Sequence, residues 1–330
     1  MARNVLVTGG SGFIGSHLCE ALVRRGDTVR ALVHYNGRGG LGRLASVPSE
    51  IRNEIEVVSG DITDPYALRD VVSGRDVVFH LAALIAIPYS YLAPYSFFLT
   101  NTLGTVHVLQ AARDEDVGRI VHVSTSECYG SAQTIPISEA HPLVAQSPYA
   151  ASKIGADQAA GSFCRSFDLP VVIVRPFNTF GPRQSARAII PTIITQALTD
   201  GTVRLGALDP TRDLTFVTDT AAGMIAAAEA PGVIGETINL GAGEHISIGD
   251  LAARIFDLLE QSGVHAHIEH DTDRVRPPGS EVERLCSDPS KARRLLGWEP
   301  EVSLTDGLSA TIAAIRSDLD SYPRVGTYQR

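Results

Sequence analysis

Val5-Leu6-Val7-Thr8-Gly9-Gly10-Ser11-Gly12-Phe13-Ile14-Gly15 decides the fold. Val5–Val7 is a short apolar run of the kind a buried parallel strand requires. A glycine-rich turn follows, and then a helical pattern through Leu18, Leu22 and Val23. Gly9, Gly12 and Gly15 have a G-x-x-G-x-x-G spacing, where the commoner dinucleotide fingerprint has G-x-G-x-x-G. The physics is shared. Glycine allows the tight turn, a close approach of backbone to pyrophosphate and close helix–strand packing. The helix N-terminus then offers free N–H groups to an anion. The strand before and the helix after favour this reading over an ordinary glycine-rich turn.

A second stretch carries the chemistry. Tyr149-Ala-Ala-Ser-Lys153 places a phenol and an ammonium four residues apart, on one face of a helix. The spacing predicts that Lys153 lowers the phenol pKa, about 10 when unperturbed, toward the range useful for a proton acceptor. Upstream, Ser124-Thr125-Ser126-Glu127-Cys128-Tyr129-Gly130 adds hydroxyl donors and, in Glu127, a second base. A tyrosinate that takes a proton from an alcohol needs a hydride acceptor. The glycine-rich turn supplies a place for a nicotinamide dinucleotide.

Composition fits a cytoplasmic enzyme. The chain has 330 residues, 44% of them hydrophobic, enough for one large domain or two unequal ones. A formal charge of −9 argues against nucleic acid or an anionic membrane as partner. Cys19, Cys128, Cys164 and Cys286 are scattered, so neither a disulfide framework nor a zinc site is expected. The ten histidines lack metal-ligand spacing, and His265-Ala266-His267 reads as alternating faces of a strand. No targeting signal is read before the first strand. The apolar stretch from Val77 to Leu99 is interrupted by His80, Pro88 and Pro94, against a membrane span. Asn36-Gly37-Arg38-Gly39-Gly40 reads as a loop beside the cofactor, and Trp298 as core of a smaller C-terminal domain.

Strand and helix patterns alternate. Strands are expected at Val29–Val33, Ile55–Val58, Asp76–His80, Arg119–Ser124 and Val171–Arg175. Helices are expected at Ala67–Val72, Thr102–Arg113, Tyr149–Arg165 and Thr220–Ala230. The fold class is therefore α/β, a Rossmann-type doubly wound parallel sheet with helices on both faces. Ligands on such sheets sit at the carboxyl ends of the strands. Gly9, Asp61, Ala82, Thr125 and Asn178 all fall at such ends.

With these residues in place, the chain resembles the extended short-chain dehydrogenase/reductase family, and within it the nucleotide-sugar dehydratases, epimerases and decarboxylases. The resemblance covers nearly the whole chain. It rests on Thr8–Gly15, Gly60-Asp61-Ile62-Thr63-Asp64, His80-Leu81-Ala82-Ala83, Asn101-Thr102-Leu103-Gly104-Thr105 and the Tyr149–Lys153 pair. It continues in Arg175-Pro176-Phe177-Asn178-Thr179-Phe180-Gly181-Pro182-Arg183, Arg212-Asp213-Leu214-Thr215-Phe216-Val217 and Leu296-Gly297-Trp298-Glu299-Pro300. The order and spacing of these pieces make the match specific.

The resemblance implies a dinucleotide domain over residues 1–178, with a returning segment near 213–242, and a smaller, discontinuous α/β substrate domain mainly over 179–330. It implies a cofactor site of Gly9, Gly12, Phe13, Ile14, Gly15, His34, Asp61, Ile62, Leu81, Ala82, Ala83, Tyr149 and Lys153. Asp61 would contact the adenine and Lys153 the nicotinamide ribose. It implies that Asn178 holds a substrate phosphate. Arg183, Arg187, Arg212 and Arg274 are candidates for the diphosphate, because guanidinium matches phosphate oxygens in a bidentate way. The implied assembly is a homodimer through Thr102–Arg113 and Tyr149–Arg165, which form a four-helix contact.

Members of this group share C4 oxidation and then diverge. A 4,6-dehydratase must also take the C5 proton and protonate the departing 6-hydroxyl. Glu127 fits the base. Ser126 stands where many glucose-type dehydratases have Asp, so the acid is less well defined. Thr125-Ser126-Glu127 is similar to GDP-mannose 4,6-dehydratases and also to UDP-glucuronate decarboxylases. Arg183-Gln184-Ser185-Ala186-Arg187 and Arg274–Leu285 look more like bacterial N-acetylhexosamine 4,6-dehydratases. The leading expectation is therefore dehydration of a UDP- or GDP-linked GlcNAc. Decarboxylation of a UDP-glucuronate, 4-epimerisation and a non-enzymatic dinucleotide sensor are the alternatives. The position that binds the ribose 2′-hydroxyl in NAD-preferring relatives is Val33, followed by His34-Tyr35-Asn36. Nothing acidic there repels a 2′-phosphate, and His34, Arg38 or Arg43 would attract one. No adjacent arginine pair makes the case for NADP, so the expectation leans to NAD.

Overall fold

Seven strands of the described residues build one parallel sheet: β1 (Asn4–Thr8), β2 (Thr28–Val33), β3 (Ile55–Ser59), β4 (Val77–His80), β5 (Arg119–Val123), β6 (Val171–Pro176) and β7 (Thr237–Leu240). The structure is a computed structural model and describes residues 2–37, 39–272 and 278–322. The spatial order is β7-β6-β5-β4-β1-β2-β3. Val5 lies opposite both Val29 and Val77, and Ile173 opposite Thr237. Chain order reverses between β1 and β4, which opens a crevice at the carboxyl ends of these strands.

The sheet is apolar on both faces, as helices on both sides demand. Val5 and Val7 point to one face with Val29, Val77 and Phe79, where helix α1 (Phe13–Arg24) contributes Leu18 and Leu22. Leu6, Leu32, Val78 and Ile120 point to the other. There they meet Leu68 and Val71 of α2 (Pro65–Val72), Val108 and Leu109 of α3 (Gly104–Asp114) and Ala160 of α4 (Pro148–Phe167). This alternation is the two-residue period of a strand. A further core gathers Phe180, Ile190, Ile193, Phe216, Leu251, Ile255, Leu308 and Ile312. It is built largely by α5 (Ile189–Thr199), α7 (Ile248–Glu260) and α8 (Leu304–Ser317).

Local chemistry explains the helix starts. Asp64 accepts from the Tyr66 and Ala67 N–H groups ahead of Pro65, and Ser147 accepts from Ala150 N–H ahead of Pro148. Both are N-cap residues followed by proline at the first helical position. Three details depart from the sequence-based expectations. The helix expected from Thr102 is α-helical only from Gly104, because Phe98–Leu103 makes a wider π-helical turn. Strand geometry begins at His267, not His265; His265 instead lies 3.3 Å from Glu260. Trp298 packs with the sheet's own core, beside Met224 and Leu240, because its indole N–H reaches the Asp219 carbonyl at 2.9 Å on α6 (Val217–Glu229). No helix among the described residues is long and apolar enough to cross a membrane.

Asp213 ties three distant segments together. Its fully buried carboxylate accepts from Ala242 N–H (2.8 Å), Gly243 N–H (3.0 Å), Ser287 N–H (2.9 Å) and the Ser287 hydroxyl (2.6 Å). Its own carbonyl accepts from Asn178 N–H at 3.0 Å. Leaving a buried donor unmet costs about 1–3 kcal/mol. Asp213→Ala is therefore expected to lower unfolding free energy by about 2–4 kcal/mol in urea titration. A loss below about 1 kcal/mol would mean that solvent already satisfies these donors.

Candidate active site

Tyr149 and Lys153 lie on the first two turns of α4, with 8% and 3% of their surface exposed. Phe97 and Ile87 wall the phenol, and the Phe97 ring meets it edge-on with centroids 6.2 Å apart. β5 ends at Val123, and the chain then turns through Ser126–Tyr129. Thr125 is extended and caps that turn, its hydroxyl accepting from Glu127 N–H at 3.2 Å. The same hydroxyl acts on the Tyr149 phenol and favours its ionised form. Ser126 is buried and Glu127 half-buried. Thr125, Ser126, Glu127, Tyr149 and Lys153 are thus brought together by a strand end and a helix start.

The electrostatics differ from the sequence-based expectation. Burial pushes the Tyr149 phenol well above its ordinary value; the Thr125 hydroxyl opposes this, while Cys128, Glu127 and Asp157 add to it. The Lys153 ammonium donates to the Val123 carbonyl at 2.8 Å. Burial in turn pushes the Lys153 ammonium down, against the pull of Asp157.

The glycine-rich turn fits a dinucleotide. Gly9 has φ +73°, and a Cβ there would lie 2.9 Å from Ala82 N. A Cβ on Gly15 would fall 2.2 Å from the Gly9 carbonyl, so only glycine lets α1 pack this close. Gly12 caps α1 with no side chain, and the first turn, which includes Phe13 and Ile14, carries no acid. Its N–H groups therefore remain available to phosphate. Leu81 and Ala82 are hydrogen-bonded back to Thr8, through its carbonyl and its hydroxyl at 3.2 Å each, which sets the backbone through Ala83 beside the turn. Ile62 is buried against Gly104.

At the ends of β2 and β3, His34 Nε2 lies 3.2 Å from an Asp61 carboxylate oxygen. Burial works against the Asp61 carboxylate. The Thr63 N–H and hydroxyl, with His34, outweigh it and hold its pKa below the usual value. Arg43 turns away toward the Gln184 carbonyl (3.3 Å) and the Tyr322 ring. Arg38 lies outside the described residues.

On the substrate side the residues are more dispersed. Asn178 follows β6, and its side-chain nitrogen is buried with no partner among the described residues. Arg183 pairs with Glu20 of α1 and has φ +69°. Arg187 is exposed on the following loop. Arg212 is buried, its guanidinium donating to the Val282 carbonyl (2.8 Å) and to Glu281 (3.1 Å). Arg274 lies outside the described residues.

Asp157, His122 and Arg175 join the site although no site role for them is read from the sequence, where Arg175 figures only as a strand end and part of a motif. Asp157 stands one turn beyond Lys153 on the same face of α4. It accepts from His122 Nε2 (3.1 Å), the Ser124 hydroxyl (2.8 Å) and Arg175 Nε and Nη2 (3.1 and 2.9 Å). The four-residue step from Tyr149 through Lys153 to Asp157 was the available signal. Its partners lie on two strands, where no sequence spacing reveals them.

Comparison with known proteins agrees with this geometry. The GDP-mannose 4,6-dehydratase family model matches residues 6–311. The chain is 36% identical over 324 residues to a dTDP-glucose 4,6-dehydratase of Actinoplanes sp., covering 95% of this chain and 98% of that one. It is 33% identical to a UDP-N-acetyl-alpha-D-glucosaminuronate decarboxylase of Bacillus cytotoxicus, covering 96% and 98%. The crystal structure of DesIV, a dTDP-glucose 4,6-dehydratase from Streptomyces venezuelae solved with NAD bound, superposes with a TM-score of 0.86. It shares 34% identity and covers 97% of this chain and 98% of that one. The parallel sheet, the glycine cradle and the paired tyrosine and lysine therefore belong to one lineage: the chain is a member of the extended short-chain dehydrogenase/reductase family, in its NAD-dependent epimerase/dehydratase branch.

Proposed function

We propose that the chain is a nucleotide-sugar 4,6-dehydratase that uses NAD, with a UDP- or GDP-linked N-acetylhexosamine as substrate. The observation that carries this reading is the half-buried Glu127 beside Tyr149, on a turn capped by Thr125. An epimerase has no need of a second base. A uronate decarboxylase would gain from a cation near the sugar carboxylate. Among the described residues, Lys153 is engaged with the Val123 carbonyl, Arg175 with Asp157, Arg183 with Glu20 and Arg212 with Glu281. Glu127 suits removal of a proton from C5 and disfavours a carboxylate at C6.

Bound NAD would supply the hydride acceptor. Tyr149 takes the proton from the sugar O4, helped by the Thr125 hydroxyl. Lys153 holds the nicotinamide ribose, and Glu127 removes the C5 proton once C4 is a ketone. Ser126, buried next to Glu127, passes or positions the proton that leaves with O6; hydride then returns to C6 and a proton to C5, so there is no net oxidation. Asn178 holds a phosphate, in keeping with its unpartnered buried nitrogen. NAD rather than NADP is supported by the ionised Asp61, with His34 engaged on it, where a 2′-phosphate would meet negative charge. The substrate side is the discontinuous part over residues 179–330. A cytoplasmic homodimer through α3 and α4 completes the reading; Leu103 (44%) and Phe98 (45%) are exposed in the π-helical turn that leads into α3.

With a panel of UDP-, GDP-, CDP- and dTDP-sugars, the expected product has lost water. Loss of carbon dioxide, or an isomer of unchanged mass, would overturn the reading. Tyr149→Phe is expected to lower kcat about 10²–10⁴-fold; undiminished turnover would remove Tyr149 from the chemistry. Glu127→Gln is expected to slow elimination by a similar factor while C4 oxidation continues, so reduced-nicotinamide absorbance accumulates. If that absorbance stays at the wild-type level while dehydration proceeds, the base lies elsewhere. The dinucleotide released from purified protein on denaturation is expected to be NAD, and finding NADP would refute the argument from Asp61.

A further inference from the structure

Beneath the reacting groups lies a buried charge cluster with no part in the chemistry proposed above. Asp157 is 3% exposed, and its carboxylate joins three elements. From α4 it reaches His122 and Ser124 of β5 and its end, and Arg175 of β6. Arg175 Nη1 donates to the Tyr129 hydroxyl at 2.9 Å, which donates to the Asn239 side-chain oxygen at 2.7 Å on β7. Ser124 immediately precedes the Thr125–Glu127 turn and Tyr129 closes it. Both ends of the turn are therefore fastened, directly or through one guanidinium, to a carboxylate on the helix that bears Tyr149 and Lys153.

We infer that Asp157 is a positioning residue that fixes the register between the Thr125–Glu127 turn and the Tyr149–Lys153 face of α4. Its carboxylate takes all four of its hydrogen bonds from β5, its end and β6, so sliding or tilting α4 by a fraction of an ångström strains all of them together. A misplacement of about 1 Å at a reacting centre can cost about 100-fold in rate. Burial works against the Asp157 charge, but His122, Arg175 and Lys153 outweigh it and hold it ionised. The inference rests on the dehydratase reading only for the choice of substrate.

Cys128 provides a readout independent of turnover. It sits inside the turn, fully buried, with Sγ 3.6 Å from the Ser124 hydroxyl. Burial pushes its thiol up to about 12, so it resists thiol reagents while the turn is closed. Cys19 and Cys286, buried elsewhere, report global opening. In a Cys164→Ser background, the NAD-loaded protein is labelled with a thiol reagent and the labelled sites are mapped by peptide mass. With Asp157→Asn, Cys128 is expected to react at least about 10-fold faster while Cys19 and Cys286 keep their wild-type rates. kcat is expected to fall about 10–100-fold with KM changed less than about threefold. Asp157→Asn with Arg175→Gln removes both buried charges and is expected to recover melting temperature. It should recover neither Cys128 protection nor kcat.

The inference is overturned if Cys128 stays protected, if all three cysteines open together, or if the double variant regains kcat along with stability. Should Asp157→Asn fail to fold, Ser124→Ala removes a single bond. It is expected to speed Cys128 labelling and lower kcat severalfold, and no change in either overturns the inference. If wild-type protein turns over no nucleotide sugar, the proposed function fails, while the labelling pattern still decides the role of Asp157.

Discussion

One buried carboxylate fastens the helix that carries Tyr149 and Lys153 to the strands that carry the turn facing them. Asp157 and Arg175 form an ion pair with about 2% and 5% of their side chains exposed. Such a pair is weak as a net source of stability, since both ions lose hydration, but removing one partner alone costs about 3–5 kcal/mol. Its value lies in geometry. The carboxylate also accepts from β5 and its end, and the free end of the guanidinium is taken by Tyr129. Helix, strands and turn are thereby tied into one hydrogen-bonded network.

A second chain of buried polar groups runs from the glycine turn to the same helix. The Thr8 hydroxyl meets His80 at 2.8 Å, His80 meets Thr105 at 3.0 Å, and Thr105 donates to the Asn101 carbonyl. The Asn101 amide donates to Ser152, whose hydroxyl donates to the Tyr149 carbonyl at 2.7 Å. The wide turn of Phe98–Leu103 is what aims Asn101 inward, and π-helical turns recur where a helix must deliver one side chain to a functional site. The dinucleotide turn and the tyrosine helix are thus joined by side chains that have no freedom to rotate independently.

The site also shows how burial and charge divide the work. Tyr149 and Lys153 are both pushed toward their neutral forms, the phenol by losing water and the amine likewise.

Much of this was legible in the chain itself. Val5–Gly15 defined a strand, a turn that only glycine can make and a helix, because a Cβ at Gly15 has no room. Alternating apolar runs defined the parallel sheet, and the parallel sheet placed Gly9, Asp61, Ala82, Thr125 and Asn178 along one edge. Helix periodicity put Tyr149 beside Lys153. Local sequence could not show which strand each helix faces, so the partners of Asp157 stayed hidden. It could not show that Trp298 returns to the sheet's core, or that Arg183 and Arg212 are engaged by Glu20 and Glu281. Nor could it show that burial pushes the phenol's pKa up, which depends on how much water the folded chain excludes. The sequence by itself determined what is periodic or sterically local: strands, turns, helix faces and the identity of the reacting groups. Only the tertiary structure decided pairing, burial and charge state, because these depend on groups distant in the chain and on the solvent that folding removes.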